Sequence, residues 1–164
     1  MARQRILIVD DHEVVRLGLR SLIDRHPDFE VVAEAANGRE AIEKVVSYQP
    51  DVVVLDIRLP GMSGVEVCQQ ITEKYPGVKV IMLTSYAEDE MLFAAIRAGA
   101  AGYVLKQIGG DDLIRAIEAV GRGEALLDPS LTQRVFEEVR KAQREEEASA
   151  FAELTNQEMQ VLQL

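Results

Sequence analysis

The chain has 164 residues, 48% apolar and 28% charged, which is the composition of a soluble globular protein with one full core and a small appendage. A formal net charge of -10 excludes an avid binder of nucleic-acid backbone, which needs clustered Lys and Arg. The one cysteine, Cys68, excludes an intramolecular disulfide and suits a reducing cytoplasm; the four apolar residues before Asp10 are too few for a signal peptide or a membrane span, so no membrane partner is expected.

Ile6-Leu7-Ile8-Val9 reads as a buried strand ending in Asp10-Asp11. Val14, Val15, Leu19, Leu22 and Ile23 recur at helical spacing, so a helix is expected over His12 to Arg25, closed by Pro27. Val31 to Ala35 carries a polar residue among apolar ones, as an edge strand does. Asn37-Gly38 reads as a turn. Ala41, Ile42, Val45 and Val46 stripe a second helix that ends before Pro50.

Val52-Val53-Val54-Leu55 is a second continuous apolar run, bounded by turn signals and ending in Asp56; such a run suits a strand buried on both faces. Val65, Val67, Cys68 and Ile71 stripe a third helix. Val78 to Leu83 is a fourth strand ending in Thr84-Ser85. Met91, Leu92, Ala95 and Ile96 mark a fourth helix, stopped by Gly99. Gly102 to Leu105 is a fifth strand ending in Lys106. Asp111 is placed to cap a fifth helix striped by Leu113, Ile114, Ile117 and Val120.

Five alternations of strand and helix predict an α/β fold: a doubly wound parallel sheet with helices on both faces and right-handed crossovers. Two strand orders are common, and they place the ligand crevice differently.

After Gly123 the character changes. Leu131, Val135, Val139 and Ala142 keep helical spacing within a charge-rich run, so a helical linker is expected over 125–153. Its narrow apolar stripe packs on its own domain, forms a dimer seam, or belongs to a partly disordered segment. Thr155 and Glu158 form a capping box, with Leu154 and Met159 at the positions of a hydrophobic staple. A helix so begun and so short cannot bury its face alone. Residues 154–164 are therefore expected to open a second, truncated domain, after a first domain over 1–124.

The strand ends bring chemistry together. Asp10 and Asp11, Asp56, Thr84 and Lys106 end four parallel strands and so share one rim of the sheet. Singly, each has an ordinary reading: a helix cap, a loop cap, a strand-end Thr, a solvated Lys. Jointly, two carboxylates about 4 Å apart repel by roughly 4 kcal/mol at an effective dielectric near 20, so three need protonation or a cation. Lys106 supplies one positive charge. Mg2+ fits as the other, because it takes one or two carboxylates and leaves room for phosphate oxygens. A carboxylate is a competent nucleophile toward phosphorus, and phosphoryl transfer asks for in-line positioning and cancelled charge.

Val9-Asp10-Asp11, Leu55-Asp56-Ile57-Arg58-Leu59-Pro60-Gly61-Met62-Ser63-Gly64, Leu83-Thr84-Ser85 and Gly102-Tyr103-Val104-Leu105-Lys106 resemble the motifs of receiver domains of bacterial two-component response regulators, over residues 5 to about 122. The resemblance implies a flavodoxin-like (βα)5 sheet of order 2-1-3-4-5. It implies that Asp56 accepts a phosphoryl group from a sensor histidine kinase. It implies Mg2+ on Asp11, Asp56 and the Arg58 backbone carbonyl, with Asp10 helping through water. Lys106 would pair with the phosphate, Thr84 would bond a phosphate oxygen, and Tyr103 would swing inward as the switch. Arg58 and Tyr86 would tune the slow self-hydrolysis; otherwise the domain is not an enzyme.

Gln107 stands where many receivers have proline. With Ala98 to Lys106 and Ala116 to Gly123, it resembles the NarL/FixJ-type branch, where a LuxR-type helix-turn-helix opens with a Leu-Thr-x-x-Glu signature like Leu154 to Glu158. That implies transcription control, with DNA a partner of the full-length parent but not of this truncated chain, and a homodimer through the receiver face or the linker helix. Two other readings stand beside this one. One is a receiver with a protein-binding output, against which the tail after Glu153 argues. A Mg2+-dependent phosphatase with an aspartyl nucleophile usually carries Asp-x-Asp on its first strand, and here the acids are adjacent.

Overall fold

The computed structural model describes residues 3–85, 89–105, 110–124 and 126–127. Strands and helices alternate as β1 (Gln4–Val9), α1 (Glu13–Asp24), β2 (Phe29–Ala35), α2 (Gly38–Tyr48), β3 (Val52–Asp56), α3 (Gly64–Lys74), β4 (Lys79–Thr84), α4 (Asp89–Arg97), β5 (Gly102–Leu105), α5 (Gly110–Gly121) and β6 (Leu126–Leu127). The sheet order is β2-β1-β3-β4-β5-β6, with every pair parallel. The expected order 2-1-3-4-5 is present, and a short sixth strand extends it. Leu126 and Leu127 pair with Gly102 and Tyr103, so the sheet continues past the boundary expected at residue 124. The remainder of the expected linker and the helix-turn-helix opening at 154–164 lie outside the described residues.

The apolar runs form the central strands because both of their faces are covered. Ile6 to Val9 and Val52 to Leu55 are all buried. Ile6, Ile8, Val52, Val54, Ile81, Leu83 and Val104 share one core with Ile23 of α1 and Leu113, Ala116, Ile117 and Val120 of α5. By the period of two, Leu7, Val9, Val53, Leu55, Val80 and Met82 point to the opposite face, where α2, α3 and α4 bring Ala41, Val45, Val67, Cys68, Ile71, Leu92 and Ala95, all buried.

Three expectations about helix faces need correction. Val14, Val46 and Ile96 were each placed in an apolar stripe, yet they are 81%, 53% and 37% exposed. Neighbours in sequence lie 100° apart on a helix, and a helix lying on a sheet buries a narrower strip than these stripes span. Asn37-Gly38 is also more than a turn: Asn37 caps α2, accepting from Glu40 N at 2.9 Å, while Glu40 Oε2 accepts from Ala36 N at 2.8 Å. The fifth helix begins at Gly110, so Asp111 sits in its first turn instead of capping it.

α4 ends in a Schellman turn. Ala100 N donates to Ala95 O and Gly99 N to Ile96 O, both at 3.0 Å, and Gly99 takes φ +94. Thr72 Oγ1 of α3 donates to the Ala98 carbonyl at 2.7 Å, and Ala101 N donates to Val80 O at 2.8 Å. Among the described residues no helix is long and apolar enough to cross a membrane.

Candidate functional site

The site lies on the carboxyl rim of the sheet, at the β1/β3 boundary where the strand order reverses. Register places its acids. Val9 pairs with Leu55, so Asp10 and Asp56 follow as the next residues on adjacent strands, which run about 4.8 Å apart. Asp56 pairs with Leu83, so Thr84 stands one residue further along. Asp10, Asp56 and Thr84 are the buried polar side chains of this rim, at 0%, 7% and 2% exposure. Asp11 is exposed beside them.

One local device closes both acid-bearing strands. Asp10 Oδ1 accepts from His12 N at 2.9 Å, and Asp56 Oδ1 accepts from Arg58 N at 3.2 Å. Each is an Asx-type turn, in which a short carboxylate satisfies the backbone two residues on. The turn after Asp56 is packed from outside by α3. Gly64 N donates to Ile57 O at 2.9 Å, and a Cβ at Gly64 would overlap the Asp56 carbonyl oxygen and lie 2.7 Å from Ile57 Cα. Only glycine permits α3 to start so close to the strand it follows.

His12 is an addition that the sequence reading missed. Its Nδ1 lies 3.0 Å from Asp11 Oδ1 and 3.4 Å from Asp10 Oδ1. The ligand-type atoms of Asp10, Asp11 and His12 all lie within 4.8 Å of one another. Arg16 is a second addition: its Nη1 donates to the Asp10 carbonyl at 2.6 Å. The signal for His12 was the start of a helix directly after two acids; Arg16, six residues beyond Asp10, left none. Tyr103 is buried, on the strand between β4 and β6. Lys106 and Tyr86, both expected at the site, lie outside the described residues.

A parallel sheet of this order, with paired acids at its switch point and a buried Thr on the neighbouring strand, defines a receiver module. The chain belongs to the response regulator receiver domain family, whose model matches residues 6–118. It is similar to the DNA-binding transcriptional activator DevR/DosR of Mycobacterium tuberculosis, 42% identical over 160 residues that make up 98% of this chain and 73% of that protein. Among solved structures it is similar to a LuxR-family two-component response regulator from Aurantimonas sp. SI85-9A1, with a TM-score of 0.79 and 38% identity over 84% of this chain and 98% of that one. It is also similar to the isolated receiver domain of RcsB from Salmonella enterica serovar Typhimurium in the presence of phosphomimetic BeF3-, with a TM-score of 0.75 and 25% identity over 80% of this chain and 98% of that one. The relatives are signalling proteins of the response regulator family.

Proposed function

We propose that Asp56 is the phosphoacceptor of a two-component phosphorelay. The observation that carries this reading is the placement of Asp10 and Asp56 in buried positions directly after the paired Val9 and Leu55, at the switch point. The donor set fits a hard divalent cation: Asp11, Asp56 and the Arg58 carbonyl offer oxygen ligands, and Asp10 helps through water. Mg2+ bound there would offset the negative charge on the phosphoryl oxygens. Asp56 Oδ attacks phosphorus in line, the P–N bond of a histidine kinase's phosphohistidine breaks, and solvent protonates the leaving imidazole. Asp56 is held for that attack by its bond from Arg58 N and by the packing of Gly64. Lys106 pairs with the phosphate. Thr84, one residue beyond Asp56 in register, takes a phosphate oxygen, and the new charge biases the surface around Tyr103. Arg58 and Tyr86 tune water attack on the acyl phosphate.

The output is transcriptional. Support comes from the Leu154-Thr155-x-x-Glu158 signature and from the DNA-binding activity named for DevR/DosR. In this reading the parent protein acts in the cytoplasm, and a homodimer through the receiver face or the linker presents its DNA-binding domains.

Treatment with a small phosphodonor and Mg2+ tests the central step by intact mass. One labile phosphoryl group is expected on the chain and none on Asp56→Asn. A phosphoryl group that persists in Asp56→Asn overturns the assignment.

A further inference from the structure

We propose that Arg16 is a positioning residue for the metal-binding turn, holding the Asp10 carbonyl so that Asp11 presents its carboxylate at the rim. The inference rests on reading Asp10 and Asp11 as part of the Mg2+ site.

Asp10 is gripped on three sides. Its N–H donates to Ala35 O at 3.1 Å, the last bond of β1 to β2. Its side chain accepts from His12 N at 2.9 Å. Its carbonyl accepts from Arg16 Nη1 at 2.6 Å. The third bond fixes the peptide plane between Asp10 and Asp11. That plane sets where the Asp11 side chain leaves the backbone, and Asp11 has no strand pairing of its own among the described residues. Without Arg16 that hold on the carbonyl is lost, and the direction in which the Asp11 carboxylate leaves the backbone is less tightly set.

Arg16 is itself held. Its backbone N donates to His12 O at 3.1 Å within the first turn of α1. Its Nε lies 3.4 Å from Glu34 Oε1, and Arg20 Nη1 lies 2.8 Å from Glu34 Oε2. The Arg16 side chain is only 17% exposed, so this is a fixed guanidinium and not a waving surface charge. The planar fork lets one side chain hold a carbonyl and a carboxylate at once, which an ammonium does with poorer geometry. Outer-shell partners of this kind typically change metal affinity by about 10-fold to 100-fold.

Charge alone predicts the opposite sign. Arg16 is a cation beside a cation site, so by Coulomb's law its removal would tighten Mg2+. Positioning predicts that its removal weakens Mg2+. The sign of the change therefore separates the two effects.

The test titrates the full 164-residue chain with MgCl2 alone and follows the Asp11 and Ile57 amide shifts by NMR. Wild type, Arg16→Ala, Arg16→Lys and Glu34→Gln are compared well below their melting temperatures, which are measured without Mg2+. Arg16→Ala should weaken Mg2+ by about 10-fold or more. Arg16→Lys keeps the charge but loses the fork, so it should restore only part of the affinity. Glu34→Gln should weaken binding less than Arg16→Ala. Equal or tighter binding by Arg16→Ala overturns the proposal. Should that variant not fold, wild-type affinity in Arg16→Lys overturns it instead. Absence of saturable Mg2+ shifts in wild type overturns the metal reading along with it, an outcome distinct from unchanged affinity in the variants alone.

Discussion

Gly64 packs so closely on Asp56 that a Cβ would overlap the Asp56 carbonyl oxygen. The obstacle is backbone, not the yielding tip of a side chain, so Gly64→Ala must push β3 and α3 apart. We expect it to lower unfolding stability by about 2 kcal/mol and to slow phosphoryl uptake at Asp56. Urea denaturation and a phosphodonor time course check the two effects. Unchanged values in both would mean that the approach relaxes freely.

Ile23 and Val14 lie on the same helix with opposite fates, at 0% and 81% exposure. Ile23→Ala should cost about 3 kcal/mol through the cavity it leaves among β1, β2 and α5. Val14→Ser should stay within about 0.5 kcal/mol of wild type. A large loss at Val14 would show that α1 is rotated from the face described.

Burial pushes the Cys68 thiol up from 9.0 to about 12. Its Sγ lies 3.7 Å from the Ala98 carbonyl, and the residue is wholly buried. Native protein should therefore resist thiol reagents that modify the unfolded chain. The sign of the linkage follows from proton binding. Above pH 9 the unfolded thiol loses its proton while the folded one keeps it, so the folded state is the more protonated and stability falls as pH rises. The Cys68 contribution is full below pH 9 and is lost toward pH 12. Other groups titrate there too, so the measurement is the stability difference between wild type and Cys68→Ala. It should be constant below pH 9 and shift against wild type above it.

Mg2+ should stabilise the chain by mass action, by about 1.4 kcal/mol at ten times its dissociation constant. EDTA should reverse the gain, and Asp11→Asn should abolish most of it. Thermal unfolding with and without the ion measures this. An equal shift in Asp11→Asn would place the ion elsewhere.

Much of the fold was legible because the central strands are apolar runs with no alternation. Val52 to Leu55 admits few readings other than a strand covered on both sides. The placement of Asp10, Asp56 and Thr84 was legible for the same reason: each is the first reactive group after such a run. Other features came from tertiary structure and left little local trace. Two leucines at Leu126 and Leu127 are too few to signal a strand, and they become one only by lying along β5. Val14 looked inward because the expected stripe on α1 held five apolar residues, more than one face buries. Nothing in the sequence around Arg16 shows that its guanidinium reaches back six residues to the Asp10 carbonyl. The strand order itself rested on the resemblance, because alternation alone leaves two arrangements open.

The Schellman turn at the end of α4 carries a mechanical consequence. Thr72 grips the Ala98 carbonyl, and Ala101 is sewn to β4, so that end of the helix is a fulcrum. The other end begins at Asp89, five residues after Thr84. A nine-residue helix is about 13 Å long. A displacement of about 2 Å at that other end would be a tilt of about 9°, not a slide along the sheet. With one end anchored in this way, α4 would act as a lever, and a short stroke at the rim would become a change of angle on the outer surface.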